Sequence, residues 1–258
     1  MKTNVAAIIP ARMNSSRYPG KPLLIIKGLP MIEHVRRRTL LSNSFNQVVV
    51  ATCDNIIFKT IRSYGGQVIM TSSKHKMATD RVAEAVKKIN CTHVVNVQGD
   101  EILLSPKELR NFVFKIKKNP QIDYWNAISK ILLKKEILDI NIVKCLISKS
   151  NRLIYCSRNF SDIKDKTKIK HIYRVLGILA FTKNSLIDFT KSQRTPIETS
   201  QSIDQMRLIE NDKSVSTYEF LNAYDGINTK KEEKKVINIL NNDIYQKKIL
   251  NNITKNLI

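Results

Sequence analysis

Short, nearly continuous apolar runs alternate with amphipathic stretches along the first hundred residues. Four of the apolar runs are typical of buried strands: residues 4–10 (NVAAIIP), 47–52 (QVVVAT), 67–72 (QVIMTS) and 93–100 (HVVNVQGD). Three stretches between them repeat apolar residues at helical spacing: residues 30–42, 55–66 and 78–90. This alternation predicts an α/β fold built on a doubly wound, mostly parallel sheet. Such sheets bind ligands in the crevice beyond the carboxyl ends of their strands.

The pattern changes after about residue 120, where short polar turns instead of helices separate the apolar runs. Four strands are predicted there: residues 127–133 (AISKILL), 142–148 (IVKCLIS), 152–158 (RLIYCSR) and 172–182 (IYRVLGILAFT). Strands joined by short turns pair antiparallel. We therefore expect an antiparallel insertion or sheet edge in this region.

Helical spacing returns toward the carboxyl end. A short helix is predicted at residues 186–192, and an amphipathic helix at residues 198–212. The second helix would turn Ile203, Met206 and Leu208 toward the core. From Lys230 onward, an Ile and Leu stripe among Lys and Asn residues predicts a solvated final helix with a frayed end.

Composition favours one large domain and leaves the meaning of its charge open. The chain has 258 residues, of which 42% are hydrophobic, and this is enough to bury a sizeable core. Its 44 Lys and Arg residues against 22 Asp and Glu residues indicate anionic partners. The charge is spread along the chain without a basic tail, so nucleic-acid binding is the weaker interpretation.

The cysteine spacing and the amino terminus bear on where in the cell the protein is expected. Cys53, Cys91, Cys145 and Cys156 are widely spaced and form no C-x-x-C pair, so buried free thiols are expected. The apolar stretch before Pro10 is too short for a signal sequence, and no run approaches the length of a bilayer span. We therefore expect a cytoplasmic protein that does not cross a membrane.

The loop after the first predicted strand concentrates positive charge. Residues 8–23, IIPARMNSSRYPGKPL, include Arg12, Arg17 and Lys21. A loop between a strand and a helix is where a doubly wound sheet binds phosphates. The stretch is neither a P-loop nor a G-x-G-x-x-G motif, because Gly20 stands alone. Three cationic side chains within ten residues are enough donors to hold a triphosphate.

This loop resembles the opening motif of the 3-deoxy-manno-octulosonate cytidylyltransferase family of sugar-acid cytidylyltransferases. Further matching segments follow in the family's order: GLPMIEHV, VVVATCDN, GGQVIMTSSKH, TDRVAEA, VVNVQGDE, YCSR, LGILAFT, TPIE, DQMR and GINTKKE. The resemblance extends from about residue 5 to residue 236. It implies a fold of the nucleotide-diphospho-sugar transferase type, and a homodimer with a dimerisation subdomain at about 120–190.

The resemblance also implies a reaction. The anomeric hydroxyl of 3-deoxy-manno-octulosonate attacks the α-phosphorus of CTP, and pyrophosphate leaves, for the synthesis of a surface glycan such as lipopolysaccharide. In-line displacement requires neutralisation of the phosphate charges. By the resemblance, Arg12 and Lys21 hold the triphosphate and act with Asp100 in catalysis. Arg17 lies nearby, toward a phosphate or the sugar carboxylate.

Mg²⁺ is the cofactor that the resemblance implies. Asp100, at the end of a predicted strand, corresponds to an aspartate that binds the metal in the family. The family's second aspartate is replaced by Asn228 in GINTKKE. An amide oxygen still binds Mg²⁺, but the loss of a negative charge weakens the site. Asp225, three residues earlier, is a candidate to compensate.

The sugar-binding residues implied by the resemblance are spread along the chain. They are Arg17, Gln98, Arg158, Glu198 and Gln205. Departures from the family pattern cluster on this side: Val175 stands in place of a histidine, and Gln201 in place of a glutamate. His75 is interpreted as a structural or exposed loop histidine rather than a nucleotide contact.

Three alternatives follow from these departures and from the charge. The enzyme could use a related 2-keto sugar acid, as Val175 and Gln201 suggest. Asn228 could mark a nucleotide-binding homologue with weakened catalysis. The charge alone supports a nucleic-acid binder, and this hypothesis predicts steeply salt-dependent DNA or RNA binding.

Overall fold

The computed structural model describes residues 3–15, 17–131, 133–160 and 172–255. The chain divides into two compact units. The first is drawn from Met1–Lys118 and Ala223–Ile258, and the second is Asn119–Asn222.

Strands and helices alternate through the amino-terminal part of the first unit. The elements are strand β1 (Val5–Ala11), a 3₁₀ turn (Lys21–Leu23), strands β2 (Ile25–Ile26) and β3 (Leu29–Pro30), helix α1 (Met31–Leu41), β4 (Gln47–Thr52), α2 (Asn55–Ser63), β5 (Gln67–Met70), α3 (Ala78–Val86), β6 (His93–Val97) and α4 (Pro106–Lys118). Each strand and helix predicted before residue 100 is present. Helix α4 was not predicted, although Leu109, Phe112, Val113 and Ile116 form its buried face.

The sheet of the first unit has the order β6-β1-β4-β5, and all of its pairings are parallel. Ile8 pairs with Val49 on one side of β1, and Ala7 pairs with Val95 on the other. Every residue of β1 is buried, which explains its continuous apolar run. The strand order reverses between β1 and β6, so the ligand crevice of this doubly wound sheet lies beyond those two strand ends.

The second unit contains the remaining strands and four helices within its described residues. They are β7 (Tyr124–Lys130), α5 (Lys134–Leu138), β8 (Lys144–Ile147), β9 (Leu153–Ser157), β10 (Ile172–Thr182), α6 (Lys183–Lys191), α7 (Pro196–Gln201), α8 (Asp204–Glu210) and β11 (Ser216–Glu219). Strand β10 pairs antiparallel with β7 and β8, β8 pairs antiparallel with β9, and β11 pairs parallel with β7. The predicted antiparallel insertion is confirmed.

The single helix predicted at residues 198–212 is wrong. Two short helices, α7 and α8, replace it, because Ser202 adopts a left-handed conformation with φ 53°. That conformation ends a helix and redirects the chain. The predicted inward residues Ile203, Met206 and Leu208 are nonetheless buried.

The helix predicted from Lys230 is present and mostly exposed, but a second helix follows it and the apolar residues of both pack against the first unit. The chain returns to the first unit and forms α9 (Lys230–Asn242) and α10 (Ile244–Thr254). Val236 and Leu240 of α9 pack in a core cluster with Ile102 and Leu103, and Ile249 and Ile253 of α10 pack with Leu29. The predicted frayed end falls beyond residue 255, outside the described residues.

The four cysteines are free thiols, as the sequence predicts. Cys91, Cys145 and Cys156 are buried, while Cys53 is half-buried. Burial raises the pKa of Cys145 to about 12, so its thiol is protonated at neutral pH. Across the described ranges, no helix has both the length and the apolar character needed to cross a membrane.

Candidate functional site

The loop that leaves β1 folds back on itself before α1. The Gly20 amide donates to the Met13 carbonyl at 2.9 Å, and Gly20 adopts the left-handed conformation, with φ 77°. The Met13 amide donates to Asp54 Oδ2 at 2.9 Å. Pro22 occupies the first turn of the 3₁₀ segment, where its missing N–H costs nothing. These contacts hold Lys21 at the strand end rather than out in solvent.

The turn after β6 brings a carboxylate to the same strand end. At Gly99, an added Cβ would lie 2.8 Å from the Pro10 carbonyl oxygen, closer than real Cβ contacts. Only glycine therefore permits this approach of the β6 turn to β1. Asp100 follows directly, and its carboxylate reaches the cationic loop.

Lys21 is the centre of the polar contacts in this crevice. Its Nζ donates to Asp100 Oδ2 and to the Ile227 carbonyl, both at 2.8 Å, and lies 3.5 Å from Asn228 Oδ1. The Lys21 and Asp100 side chains are 13% and 27% exposed, so the ion pair is shielded but open to a ligand. Arg17 Nη2 donates to Asn228 Oδ1 at 2.8 Å.

The segment before α9 carries Ile227 and Asn228, which contact Lys21 together with Asp100. The amides of Asn228 and Thr229 both donate to the Glu232 carboxylate, which fixes the start of α9. The Ile227 side chain is fully buried, and its amide donates to the Asp100 carbonyl at 3.2 Å. Asn228 is thus brought to Asp100 across more than a hundred residues of sequence.

A cavity of about 230 Å³ opens at this point. Its lining includes five of the predicted site residues: Arg12, Arg17, Lys21, Gln98 and Asp100. Arg12 is exposed and has no hydrogen-bond or ion-pair partner among the described residues. Positive side chains outnumber the single carboxylate of the lining, so the cavity is suited to an anion of several charges.

The lining also contains Arg81, which the sequence did not assign, and His75, which was interpreted as a structural or exposed loop histidine. Arg81 is 2% exposed, and its Nη1 donates to Thr71 Oγ1 and the Ser72 carbonyl. His75 lines the cavity and hydrogen-bonds Glu84, whose carboxylate also accepts from the Ser72 amide. Burial raises the pKa of Glu84, but these hydrogen bonds outweigh it and the net pKa lies below the ordinary value. Arg81 and Glu84 both lie in TDRVAEA, and the match of this segment to the family pattern was the sequence signal that could have found them.

Three predicted site residues lie in the second unit. Glu198 and Arg207 form a buried ion pair, with Arg207 Nε 2.7 Å from Glu198 Oε2, and the guanidinium lies 4.2 Å from the Phe189 ring centre. Gln205 Nε2 donates to Asn126 Oδ1 at 2.6 Å. Arg158 Nε donates to the Gln201 carbonyl at 3.0 Å. Their sugar-binding roles stay predictions.

The sequence and the whole fold match known cytidylyltransferases. The sequence profile described as cytidylyltransferase matches residues 6–215. The chain is 33% identical over 245 residues to a 3-deoxy-manno-octulosonate cytidylyltransferase of Geobacter sulfurreducens, covering 91% of this chain and 98% of that protein. A protein of the same name from Fusobacterium nucleatum is 33% identical over 234 residues, covering 90% and 95%.

A solved structure agrees with these relatives. It is that of a CMP:2-keto-3-deoxy-manno-octonic acid synthetase complexed with CTP. The match has a TM-score of 0.87 and 28% sequence identity, and it covers 94% of this chain and 100% of that chain.

Proposed function

The chain belongs to the cytidylyltransferase family and, within it, to the 3-deoxy-manno-octulosonate cytidylyltransferases, and we propose that it transfers CMP from CTP to 3-deoxy-manno-octulosonate. The observation that carries this proposal is the cavity at the β1 and β6 strand ends, which is lined by three cationic side chains from one loop and by Asp100, the ion-pair partner of Lys21. The product would serve the synthesis of a surface glycan such as lipopolysaccharide.

In the proposed reaction, the anomeric hydroxyl oxygen forms a bond to the α-phosphorus while the bond from that phosphorus to the bridging oxygen breaks. The hydroxyl proton passes to solvent, and pyrophosphate leaves with the bridging oxygen. Arg12 is suited to grip two phosphate oxygens with its planar guanidinium, since no described residue competes for it. Lys21 would offset the charge that develops as the α-phosphate is attacked.

We propose Mg²⁺ as the cofactor. The residues fit a Mg²⁺ ion, because the Asp100 carboxylate and the Asn228 amide oxygen converge within one hydrogen-bonded cluster. Mg²⁺ is usually held by one or two carboxylates together with substrate phosphates. When bound, it would neutralise phosphate charge and make the pyrophosphate a better leaving group. Asp225 lies in the same segment as Asn228, and its compensating role stays a prediction.

The remaining partners are proposals as well. Gln98 lines the cavity, and we propose that it contacts the sugar acid, together with Arg17. A homodimer is proposed because the second unit exposes several large apolar side chains. A cytoplasmic location is proposed because CTP is made there and all four cysteines are free thiols.

Coupled pyrophosphate release tests the proposed reaction. The protein is incubated with CTP, Mg²⁺ and a panel of 2-keto sugar acids, and pyrophosphate is measured enzymatically. We expect release with CTP and 3-deoxy-manno-octulosonate. Release only with another acid would support the alternative suggested by Val175 and Gln201. No release with any acid, while CTP still binds, would support a catalytically weakened homologue.

A further inference from the structure

Three oxygen atoms from two separate segments of the first unit converge on the Lys21 ammonium. They are Asp100 Oδ2 at 2.8 Å, the Ile227 carbonyl oxygen at 2.8 Å and Asn228 Oδ1 at 3.5 Å. We call this group the oxygen cradle. A carboxylate, a main-chain carbonyl and an amide oxygen are the ligand types that hard divalent cations prefer. In the structure, these three oxygens bind the Lys21 ammonium, a cation that belongs to the chain itself.

The Ile227 carbonyl is built firmly into this cradle. The Ile227 side chain is buried in the core cluster that contains Ile102 and Val236. Its amide donates to the Asp100 carbonyl, and at Gly226 an added Cβ would lie 2.6 Å from that same carbonyl oxygen. The main-chain segments that carry the three cradle oxygens are therefore held against each other independently of the Lys21 ammonium.

Lys21 and a divalent cation would draw on the same oxygen atoms of the cradle. A Mg²⁺ ion binds its oxygen ligands at about 2.0–2.1 Å, whereas Lys21 Nζ lies 2.8 Å from two of the same oxygens. Two positive charges that share these oxygens would repel each other strongly in a partly shielded site. Arg17 also donates to the third oxygen, at 2.8 Å, and adds a further positive charge.

We propose that Lys21 competes with the divalent cation for the oxygen cradle and keeps the cation out until the phosphates of CTP draw the ammonium away. This inference rests on the proposed function, because it takes CTP as the ligand that moves Lys21. It adds an order to that function: the cation enters the cradle with the nucleotide and not before it. It also assigns the Ile227 carbonyl to the cation site.

Mn²⁺ binding without nucleotide tests the proposal. Free Mn²⁺ is measured by electron paramagnetic resonance during titration of the wild type, Lys21→Met and, as a matched control, Lys27→Met. Lys27 is an exposed turn lysine outside the cavity lining. We expect Lys21→Met to bind Mn²⁺ at least about tenfold more tightly than the wild type, since one positive charge is removed from the cradle. Lys27→Met should match the wild type.

Two further variants test whether the gain in Mn²⁺ affinity comes from the loss of the Lys21 charge and from binding in the oxygen cradle. Lys21→Gln, a second uncharged replacement, should show the same gain, and adding Asp100→Asn to Lys21→Met should abolish it. Equal Mn²⁺ affinity of the wild type and both Lys21 variants, whether tight or undetectable, overturns the proposal. A gain that survives Asp100→Asn also overturns it. Equilibrium dialysis of CTP with the wild type is independent: failure to retain CTP would contradict the proposed function itself.

Discussion

Asn228 puts a neutral amide where two cationic side chains meet. Its Oδ1 accepts from Arg17 at 2.8 Å and lies 3.5 Å from Lys21 Nζ. Asn228→Asp changes the charge of this group and almost nothing of its shape. If the position binds Mg²⁺, the added charge should lower the Mg²⁺ concentration for half-maximal turnover by about five- to tenfold.

The measurement for Asn228→Asp is pyrophosphate release as a function of Mg²⁺ at saturating CTP and sugar acid. Asn238→Asp is a suitable control, because Asn238 lies on α9 away from the cavity lining. An unchanged Mg²⁺ dependence for Asn228→Asp would contradict a metal-binding role for residue 228.

His34 makes the folded state sensitive to acid. The side chain is fully buried in α1, and Nε2 donates to the Ile26 carbonyl. Burial lowers the pKa of His34 to about 4 from 6.5, opposed by this hydrogen bond and aided by the charges of Arg38 and Arg37. The unfolded chain therefore binds a proton at a pH where the folded chain does not, and unfolding is favoured as pH falls from about 6.5 to about 4.

Replacing His34 should remove this contribution. The pKa difference corresponds to about 3 kcal/mol of unfolding free energy lost between neutral pH and pH 4. His34→Gln retains an N–H donor for the Ile26 carbonyl but has no titratable group. Urea unfolding between pH 7 and pH 4.5 should show a shallower decline for His34→Gln. Parallel stability curves for the two proteins would refute the assignment to His34.

Residues of the site differed in how far the sequence could predict them. Arg12, Arg17 and Lys21 are close in sequence, and the strand before them predicts where their loop lies. The pairing of His75 with Glu84 depends on how the loop after β5 folds onto α3, which no local pattern encodes. The Ile227 contact uses a main-chain carbonyl, and every residue has one. Sequence therefore indicated the charged groups but not the backbone that orders them.

At the scale of elements, the strands were predictable and the helix breaks were not. A parallel strand buried on both faces must be a continuous apolar run, so β1, β4 and β6 have few alternatives. Ser202 separates α7 from α8 with a left-handed conformation that serine adopts only when tertiary contacts favour it. The apolar stripe of α9 is too sparse to reveal its packing, because only Val236 and Leu240 are buried.

The segment that leads into α9 packs against the turn after β6, and this packing depends on Gly226. In Gly226→Ala, the new Cβ would lie 2.6 Å from the Asp100 carbonyl oxygen, so residues 226–228 must move away from Asp100. That shift would draw the Ile227 carbonyl and Asn228 from Lys21. We expect kcat/KM to fall at least about tenfold and stability to fall by about 1–3 kcal/mol.

Gly28→Ala separates this effect from simple backbone strain. Gly28 has φ 83° with nothing within 4 Å of an added Cβ, so alanine there is strained without a clash. We expect a stability loss of about 1–2 kcal/mol with kcat/KM near that of the wild type. Steady-state kinetics and thermal unfolding of both variants make the comparison. Wild-type kcat/KM in Gly226→Ala would show that the packing at Gly226 does not support the site.

At the scale of the whole molecule, the second unit exposes a set of large apolar side chains. They are Leu133, Leu138, Ile140, Ile154, Tyr155 and Leu221. Ile154 and Tyr155 are consecutive on β9, which pairs only with β8 among the described strands. The Leu153 and Cys156 amides already donate to the Val215 carbonyl and to Met206 Sδ, so the exposed apolar side chains, rather than a free strand edge, favour burial against another chain. This is the physical support for the proposed homodimer.

Ile154→Asp should convert that dimer to monomers. Ile154 is 52% exposed in the single chain, and burial of a carboxylate in an apolar interface without a partner is strongly unfavourable. Light scattering during gel filtration should give twice the 29.6 kDa chain mass for the wild type and the single mass for Ile154→Asp. Ile56→Asp, at a 55% exposed position on α2 of the first unit, should keep the wild-type mass. A wild-type mass of one chain, or an Ile154→Asp variant that remains dimeric, would place the interface elsewhere or remove it.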